Sequence, residues 1–227
     1  MQAVILAAGK GLRLRPFTEH HPKPLIPIAD KALIEYTLES LPDSISEIII
    51  VIGYLANQIK DHLGDEWNGK PIRYVIQETL QGTGDALLQA KPFVEQNFLV
   101  VNGDDLYAKK DLTALLEFPL SILAWESSVF YEFGLHTSEN MELLGFDSQS
   151  ALLNCGAYHL TKDFFKEPLA EVQVHDKTEY SLPHTLVKIA EAQKVMVVKA
   201  THWLPVGTPA QHQFANEYYV KKIDNPN

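Results

Sequence analysis

Residues 3–16 read Ala3-Val4-Ile5-Leu6-Ala7-Ala8-Gly9-Lys10-Gly11-Leu12-Arg13-Leu14-Arg15-Pro16, a short apolar run that passes into a loop of glycines and cations. The run Ala3 to Leu6 has the length and continuous apolar character of a buried strand. Two close glycines after a strand let backbone N–H groups approach a phosphate with no Cβ in the way. A dinucleotide fingerprint needs a third glycine at position 14, where Leu14 stands, and a P-loop needs Gly-Lys-Ser/Thr, which is absent. Lys10, Arg13, Arg15 and Lys23 fall within fourteen positions of a chain whose formal net charge is −10. A solvated basic patch is the plain account of that cluster. A polyphosphate cradle is the sharper one.

Outward from this stretch, short apolar runs alternate with helical patterns. Leu33, Tyr36, Thr37 and Leu41 make a helical stripe before Pro42, and Glu47 to Ile52 (EIIIVI) is a β-branched strand closed by Gly53. Leu55, Ile59 and Leu63 recur at four-residue spacing before Gly64. Ile72 to Ile76 is a strand, Thr83 to Ala90 a helix and Phe98 to Val101 a strand. This rhythm implies right-handed crossovers and an α/β fold, a Rossmann-like, mainly parallel but mixed sheet flanked by helices. Ligands of such sheets collect beyond the carboxyl ends of the strands. The Gly9 loop, Gln77 and Asn102-Gly103-Asp104-Asp105 all fall at such ends, which makes them candidates for one site. Further on, Leu120 to Trp125, Leu152 to His159 and Val195 to Lys199 read as strands. Leu182 to Ala192 and Pro209 to Val220 read as helices, the last with proline in its first turn. With no linker or repeat, residues 1–227 are expected to form one domain, with about 1–110 as its nucleotide half and about 111–227 as its second half.

The chain has 227 residues, 46% of them hydrophobic and 21% charged, as in ordinary globular proteins. Its acidity disfavours binding to nucleic acid or to an anionic membrane surface. No apolar run approaches the roughly 18 residues of a membrane span. Neither a signal peptide nor a disulfide is expected, since Cys155 is the single cysteine, and the chain reads as cytoplasmic. The nine histidines lack metal-ligand spacing, and Cys155 lies in an apolar run suited to packing.

Two further segments carry candidate chemistry. In Gln77-Glu78-Thr79-Leu80-Gln81-Gly82-Thr83-Gly84-Asp85-Ala86-Leu87, the Gln77 amide offers a donor and an acceptor that suit the O4 and N3–H edge of uracil or thymine. Gly82 would let the backbone come close to the base. The alternative is a surface glutamine before a helix capped by Thr83. In Val100-Val101-Asn102-Gly103-Asp104-Asp105, a carboxylate just past a buried strand is suited to hold Mg²⁺ against phosphate oxygens, although aspartate is also common in plain turns.

The run LAAGKGLRLRPFTEHHPKPL, residues 6–25, resembles the signature of the sugar-1-phosphate nucleotidyltransferases. The resemblance is strong to about residue 106 and patchy beyond. It implies the nucleotide-diphospho-sugar transferase type of fold, with a nucleoside triphosphate and a sugar 1-phosphate as substrates. By the same resemblance, Leu6, Ala8, Gly9, Gly11 and Thr83 bind the nucleotide, the glycine-rich loop wrapping its triphosphate, and Arg13 and Lys23 are the catalytic cations. Gln77 and Gly82 read a pyrimidine base, which favours UTP or dTTP, and Asp104 is the Mg²⁺ ligand. Phe133-Gly134, Glu142 and Asn154-Cys155-Gly156-Ala157-Tyr158 are similar to the family's sugar-facing elements, so Gly134, Glu142 and Asn154 are the sugar candidates. Glu179-Tyr180-Ser181-Leu182 also resembles a family stretch, with no chemistry assigned. No acyltransferase half like that of the bifunctional relatives is expected. A homo-oligomer is compatible with all of this.

Three departures stand out. Leu12 replaces the usual Ser or Thr before the arginine, and Pro205 replaces the Asp of the Trp-x-Asp-x-Gly-Thr-Pro element. The Glu-Lys-Pro element expected before Asn154 is missing, with Glu142-Leu143-Leu144 its nearest remnant. These losses leave room for a catalytically weak or silent nucleotide-binding regulatory homologue. A cytidylyltransferase acting on a small phosphorylated alcohol such as phosphocholine is the enzymatic rival. A nicotinamide-dependent dehydrogenase is made remote by Leu14.

Overall fold

The computed structural model describes residues 1–128, 133–174 and 176–224. Strand β1 (Gln2–Ala7) is buried along its whole length and leads into a loop with two 3-10 turns, Leu12–Leu14 and Lys23–Leu25. A two-residue hairpin, β2 (Pro27–Ile28) and β3 (Lys31–Ala32), feeds α1 (Leu33–Glu39), whose first turn is closed by the Glu35 carboxylate accepting from the Ala32 N–H at 2.6 Å. Next come β4 (Glu47–Ile52), α2 (Ala56–Leu63), β5 (Glu66–Trp67), β6 (Lys70–Ile76) and α3 (Thr83–Ala90). Strand β7 (Asn97–Asn102), the short β8 (Asp105–Tyr107), α4 (Lys109–Leu115) and β9 (Ser121–Glu126) follow. Strands β10 (Gly134–Thr137) and β11 (Leu143–Asp147) form a hairpin before the long β12 (Leu152–Thr161). The chain continues through β13 (Ala170–Val174), β14 (Lys177–Ser181), α5 (Leu182–Ala190), β15 (Met196–Lys199), β16 (Trp203–Pro205) and α6 (Pro209–Asp224).

The central sheet has eight strands in the order β15-β9-β12-β7-β1-β4-β6-β5. Strands β7, β1, β4 and β6 run parallel, and so do β15 and β9. Between these two groups lies β12, antiparallel to both β7 and β9. The carboxyl ends of β15, β9, β7, β1, β4 and β6 therefore share one edge. The expected mixed, mainly parallel α/β sheet is the fold observed. Beyond it, the sequence pattern missed α4, the β10–β11 and β13–β14 hairpins, and the β8–β16 pair.

Apolar clusters cover both faces of the sheet. Val4, Ile49, Val51, Phe98 and Val100 point to one, and Ala3, Ile5, Ile48, Ile50, Leu99 and Val101 to the other. Alternation between two buried faces is why β4 reads as an unbroken apolar run. Ile50 has no solvent exposure. Ile50→Ala is expected to cost about 2–5 kcal/mol, read as a lower urea midpoint with an unchanged slope.

Candidate active site

The loops above the end of β1 are tied to that strand by its own carbonyls. The Leu6 carbonyl accepts from the Gly103 N–H at 2.9 Å, and the Ala8 carbonyl accepts from the Tyr54 N–H at 3.1 Å. The loops after β7 and β4 are thus anchored on β1. Gly103 must be glycine for this, since a Cβ there would lie 2.9 Å from Ile5 Cγ2. Gly9 has no atom within 4 Å of where its Cβ would stand, so that position opens outward. Gly11 is in the left-handed region at φ 60°, and its absent Cβ leaves room for Thr18 Cγ2 and Lys23 Cβ at 2.9 and 3.0 Å. Its carbonyl accepts from Thr18 Oγ1 at 2.8 Å and from the Leu14 N–H at 2.9 Å. The loop therefore folds back so that Lys23 packs on Gly11. Leu12 is 57% exposed.

Lys23 Nζ donates to Asp104 Oδ2 at 2.6 Å, with side-chain exposures of 9% and 34%. Next to it, Asp105 is buried. Its Oδ1 accepts from the Val206 N–H at 3.4 Å, its carbonyl accepts from Thr37 Oγ1 at 3.2 Å, and it pairs with Pro205 across β8 and β16. Arg13 reaches the same element: a Cβ on Gly207 would lie 3.3 Å from its Nη2. The β8–β16 pair thus links the carboxylate that meets Lys23 to the glycine that meets Arg13. Arg13, Lys23 and Asp104 belong to one cluster of loops over the sheet edge. The carboxylate that Pro205 replaces would have stood directly across from Asp105.

Burial pushes the Asp105 carboxyl up to about 7, and the neighbouring Asp104 adds to the rise, while Lys23 and the Val206 N–H oppose it. Among the described residues, no group of three or more His, Cys, Asp or Glu side chains is arranged to hold a metal. Mg²⁺ commonly uses one or two carboxylates with substrate phosphates and waters, so the partly exposed Asp104 fits an ion shared with a polyphosphate rather than one caged by protein.

The Gln77 loop forms a second wall. Gln77 follows β6, and its N–H donates to the Ile52 carbonyl at 2.8 Å. Its side chain is buried, with Nε2 donating to Asp85 Oδ2 at 2.7 Å and to the Gly82 carbonyl at 3.2 Å. The amide therefore has only its oxygen left to offer, not the donor and acceptor expected from its chemistry alone. Gly82, at φ 95°, is approached by Tyr180, whose carbonyl oxygen would lie 2.4 Å from a Cβ. The crowding that demands glycine there comes from β14. Thr83 Oγ1 accepts from the Leu182 N–H at 3.1 Å, tying α3 to α5; the helix cap is Gly82, not Thr83.

The sugar candidates separate. Asn154 pairs with Ala124, which pairs with Lys199 at the end of β15, so it lies at the carboxyl-end edge. Its amide spans an irregularity in β12, accepting from the Gly156 N–H at 2.9 Å and donating to the Tyr158 hydroxyl at 2.7 Å. Gly134, at the near end of the β10–β11 hairpin, is pressed against Ser150, whose carbonyl oxygen would be 2.4 Å from a Cβ. Glu142 does not join them. It bridges to Met196, which pairs with Ser121; Ser121 faces His159, and His159 faces Leu99 in the first half of β7. That is the opposite edge of the sheet. There the Glu142 carboxylate is taken by Lys194 at 2.5 Å. The hairpin thus sets Glu142 apart from Gly134 and Asn154.

Three residues had no role assigned from sequence. Thr18 closes the glycine loop, Asp105 joins β8 to β16, and Asp85 holds Gln77. Their signals were weak: a threonine in a loop, a second acid in a turn, and an acid in a helix's first turn.

An eight-stranded mixed sheet with a glycine and cation loop at its carboxyl edge defines an α/β protein of the nucleotide-diphospho-sugar transferase type. The model of the nucleotidyl transferase family matches residues 2–122, and the chain belongs to that family. It is similar to the bifunctional protein GlmU of Methanocaldococcus jannaschii, 32% identical over 231 residues covering 99% of this chain and 55% of that protein. It is also similar to the D-glycero-alpha-D-manno-heptose 1-phosphate guanylyltransferase of Campylobacter jejuni, 33% identical over 74% of this chain and 79% of that protein. The UTP–glucose-1-phosphate uridylyltransferase AglF of Haloferax volcanii is 38% identical over 47% of this chain and 44% of its own length. The chain thus spans about half the length of the GlmU relatives. No described helix is long and apolar enough to cross a membrane.

A carboxyl whose pKa is raised on folding binds its proton more tightly in the native state. Asp105 should make the metal-free protein lose stability as pH rises from its ordinary value of 3.8 through about 7, with the loss complete above that. Urea midpoints measured across that range should fall less steeply for Asp105→Asn. Parallel curves would contradict the assignment.

Proposed function

We propose that this chain transfers a nucleotidyl group from a pyrimidine nucleoside triphosphate, UTP or dTTP, to a sugar 1-phosphate, giving a nucleotide sugar and pyrophosphate. Residues 1–227 act as one nucleotidyltransferase domain in this reading. It is carried by one observation: Lys23 meets Asp104 at 2.6 Å and Arg13 meets Gly207 on loops joined by the β8–β16 pair. Family membership and the names of two relatives, each a transferase for a sugar 1-phosphate, support the same reading.

An oxygen of the sugar phosphate forms a bond to the α-phosphorus as the bond to the bridging oxygen breaks, and pyrophosphate departs with the electron pair. The nucleophile is already an anion, so the protein need not supply a strong base. Its task is to bring two polyanions together. The Gly9–Gly11 backbone follows the triphosphate, Arg13 steadies the departing pyrophosphate and Lys23 neutralises phosphate charge. Asp104 would hold a divalent ion, Mg²⁺ by expectation, which supplies charge neutralisation on the phosphate oxygens. Gln77 and Gly82 face the base, and Gly134 and Asn154 lie on the sugar side.

Removing one cation aimed at the transition state costs on the order of 3 kcal/mol, about a hundredfold in rate. Arg13→Ala should therefore keep the fold by circular dichroism and lose about that factor in pyrophosphate release with Mg²⁺ present. Unchanged turnover would remove Arg13 from the mechanism.

The second reading, a nucleotide-binding domain without turnover, rests on Leu12 and on Pro205 facing Asp105. It differs in one result. A screen of nucleoside triphosphates against sugar 1-phosphates would show binding without pyrophosphate release. The same screen covers guanine nucleotides, which one relative's name specifies, and phosphocholine with CTP.

A further inference from the structure

Asp85 has no chemistry assigned to it in the segment Gln77–Leu87, yet its carboxylate is bound to the Gln77 amide. The residues Gln77 and Asp85 are 4% and 8% exposed. Gln77 Nε2 spends its two hydrogens on Asp85 Oδ2 at 2.7 Å and on the Gly82 carbonyl at 3.2 Å. Both partners are oxygens that accept, so turning the amide over would set Oε1 against two oxygens; chemistry fixes which way the amide points. Asp85 is itself held, since its Oδ1 accepts from Gln89 Nε2 at 3.0 Å, one turn along α3. It also sits in the first turn of that helix, where a carboxylate is favoured. Gln77 Oε1 receives no hydrogen bond from any described residue. Nor is it among the fully buried atoms that lack a partner, so it is not wholly shielded from solvent.

We infer that Asp85 is a positioning residue for base selection: it locks the Gln77 amide so that only an acceptor meets the base. A base that meets Gln77 through its pairing edge must then bring an N–H. Uracil and thymine carry one at N3 and guanine at N1, whereas the corresponding ring nitrogens of cytosine and adenine are bare acceptors. Cytosine and adenine could answer that oxygen only through their exocyclic amino groups, one position along the edge, so a base seated with its central ring nitrogen on Gln77 is selected as uracil, thymine or guanine. This inference rests on the reading that Gln77 faces the base of a bound triphosphate.

Calorimetric titration of the full chain with UTP, N3-methyl-UTP and CTP tests it. The unmodified protein should bind UTP at least about tenfold more tightly than either of the others. Asp85→Ala should bring these ratios within about threefold, because only the longer contact to the Gly82 carbonyl then opposes turning of the amide. Asp85→Asn, which keeps an accepting oxygen, should restore most of the preference; a purely structural role for Asp85 would leave the ratios alone. Equal binding of UTP and N3-methyl-UTP by the unmodified protein overturns the inference without any variant. So do unchanged ratios in a folded Asp85→Ala protein, and both of those results leave the nucleotide-binding reading standing. Failure of the unmodified protein to bind any triphosphate overturns both.

Discussion

The last carbonyls of a buried parallel strand point along the strand to an edge where no sheet partner continues, and each needs a donor. In β1 those donors come from the loops of its neighbours, Gly103 on Leu6 and Tyr54 on Ala8. Two backbone hydrogen bonds therefore place the exits of β4 and β7 against the glycine loop. Gly103 lets the loop pass over Ile5 and Ala7, and Gly53 lies against the Ala8 carbonyl. Everything proposed for this protein uses that arrangement, because it carries Asp104 to Lys23.

Charge is handled locally within an acidic chain. Net charge is −10, yet Arg13 and Lys23 sit on one loop, Lys23 against the acidic turn at Asp104 and Arg13 against Gly207. The two acids of that turn are divided by environment. Asp104 is partly exposed and paired with an ammonium, whereas Asp105 is buried with a long contact from the Val206 N–H and is pushed toward its neutral form. The first is suited to holding a cation, and the second to joining β8 with β16. Pro205 fits the second function well, since β16 needs only to pair at that point.

Glycines that look alike in sequence serve different ends. Gly9 opens to the cleft, Gly11 turns left-handed to admit Lys23, and Gly82 gives way to the backbone of β14. The Glu179-Tyr180-Ser181 stretch, which had no chemistry assigned to it, becomes the wall against which the Gln77 loop is built, with the Tyr180 N–H donating to the Gln81 carbonyl at 2.7 Å. Packing against β14 by itself requires glycine at position 82.

The central strands were legible because double-sided burial leaves an unbroken apolar run, and α3 because its pattern begins and ends sharply at Thr83 and Ala90. The placing of Gly9, Gln77 and Asp104 at strand ends followed from the same runs. The hairpins of the second half were not legible: β13 and β14 have five residues each and are only partly buried, and the alternation of Ala170, Val172 and Val174 is too short to mark a strand. By itself the sequence determined the sheet, its carboxyl edge and the residue types gathered there, since those depend on local hydrophobic pattern and on residue chemistry. Only the tertiary structure decided that Glu142 belongs to the far edge, that Tyr180 crowds Gly82 and that Asp85 takes the hydrogens of Gln77. Those are contacts between side chains and segments whose partners no spacing along the chain records.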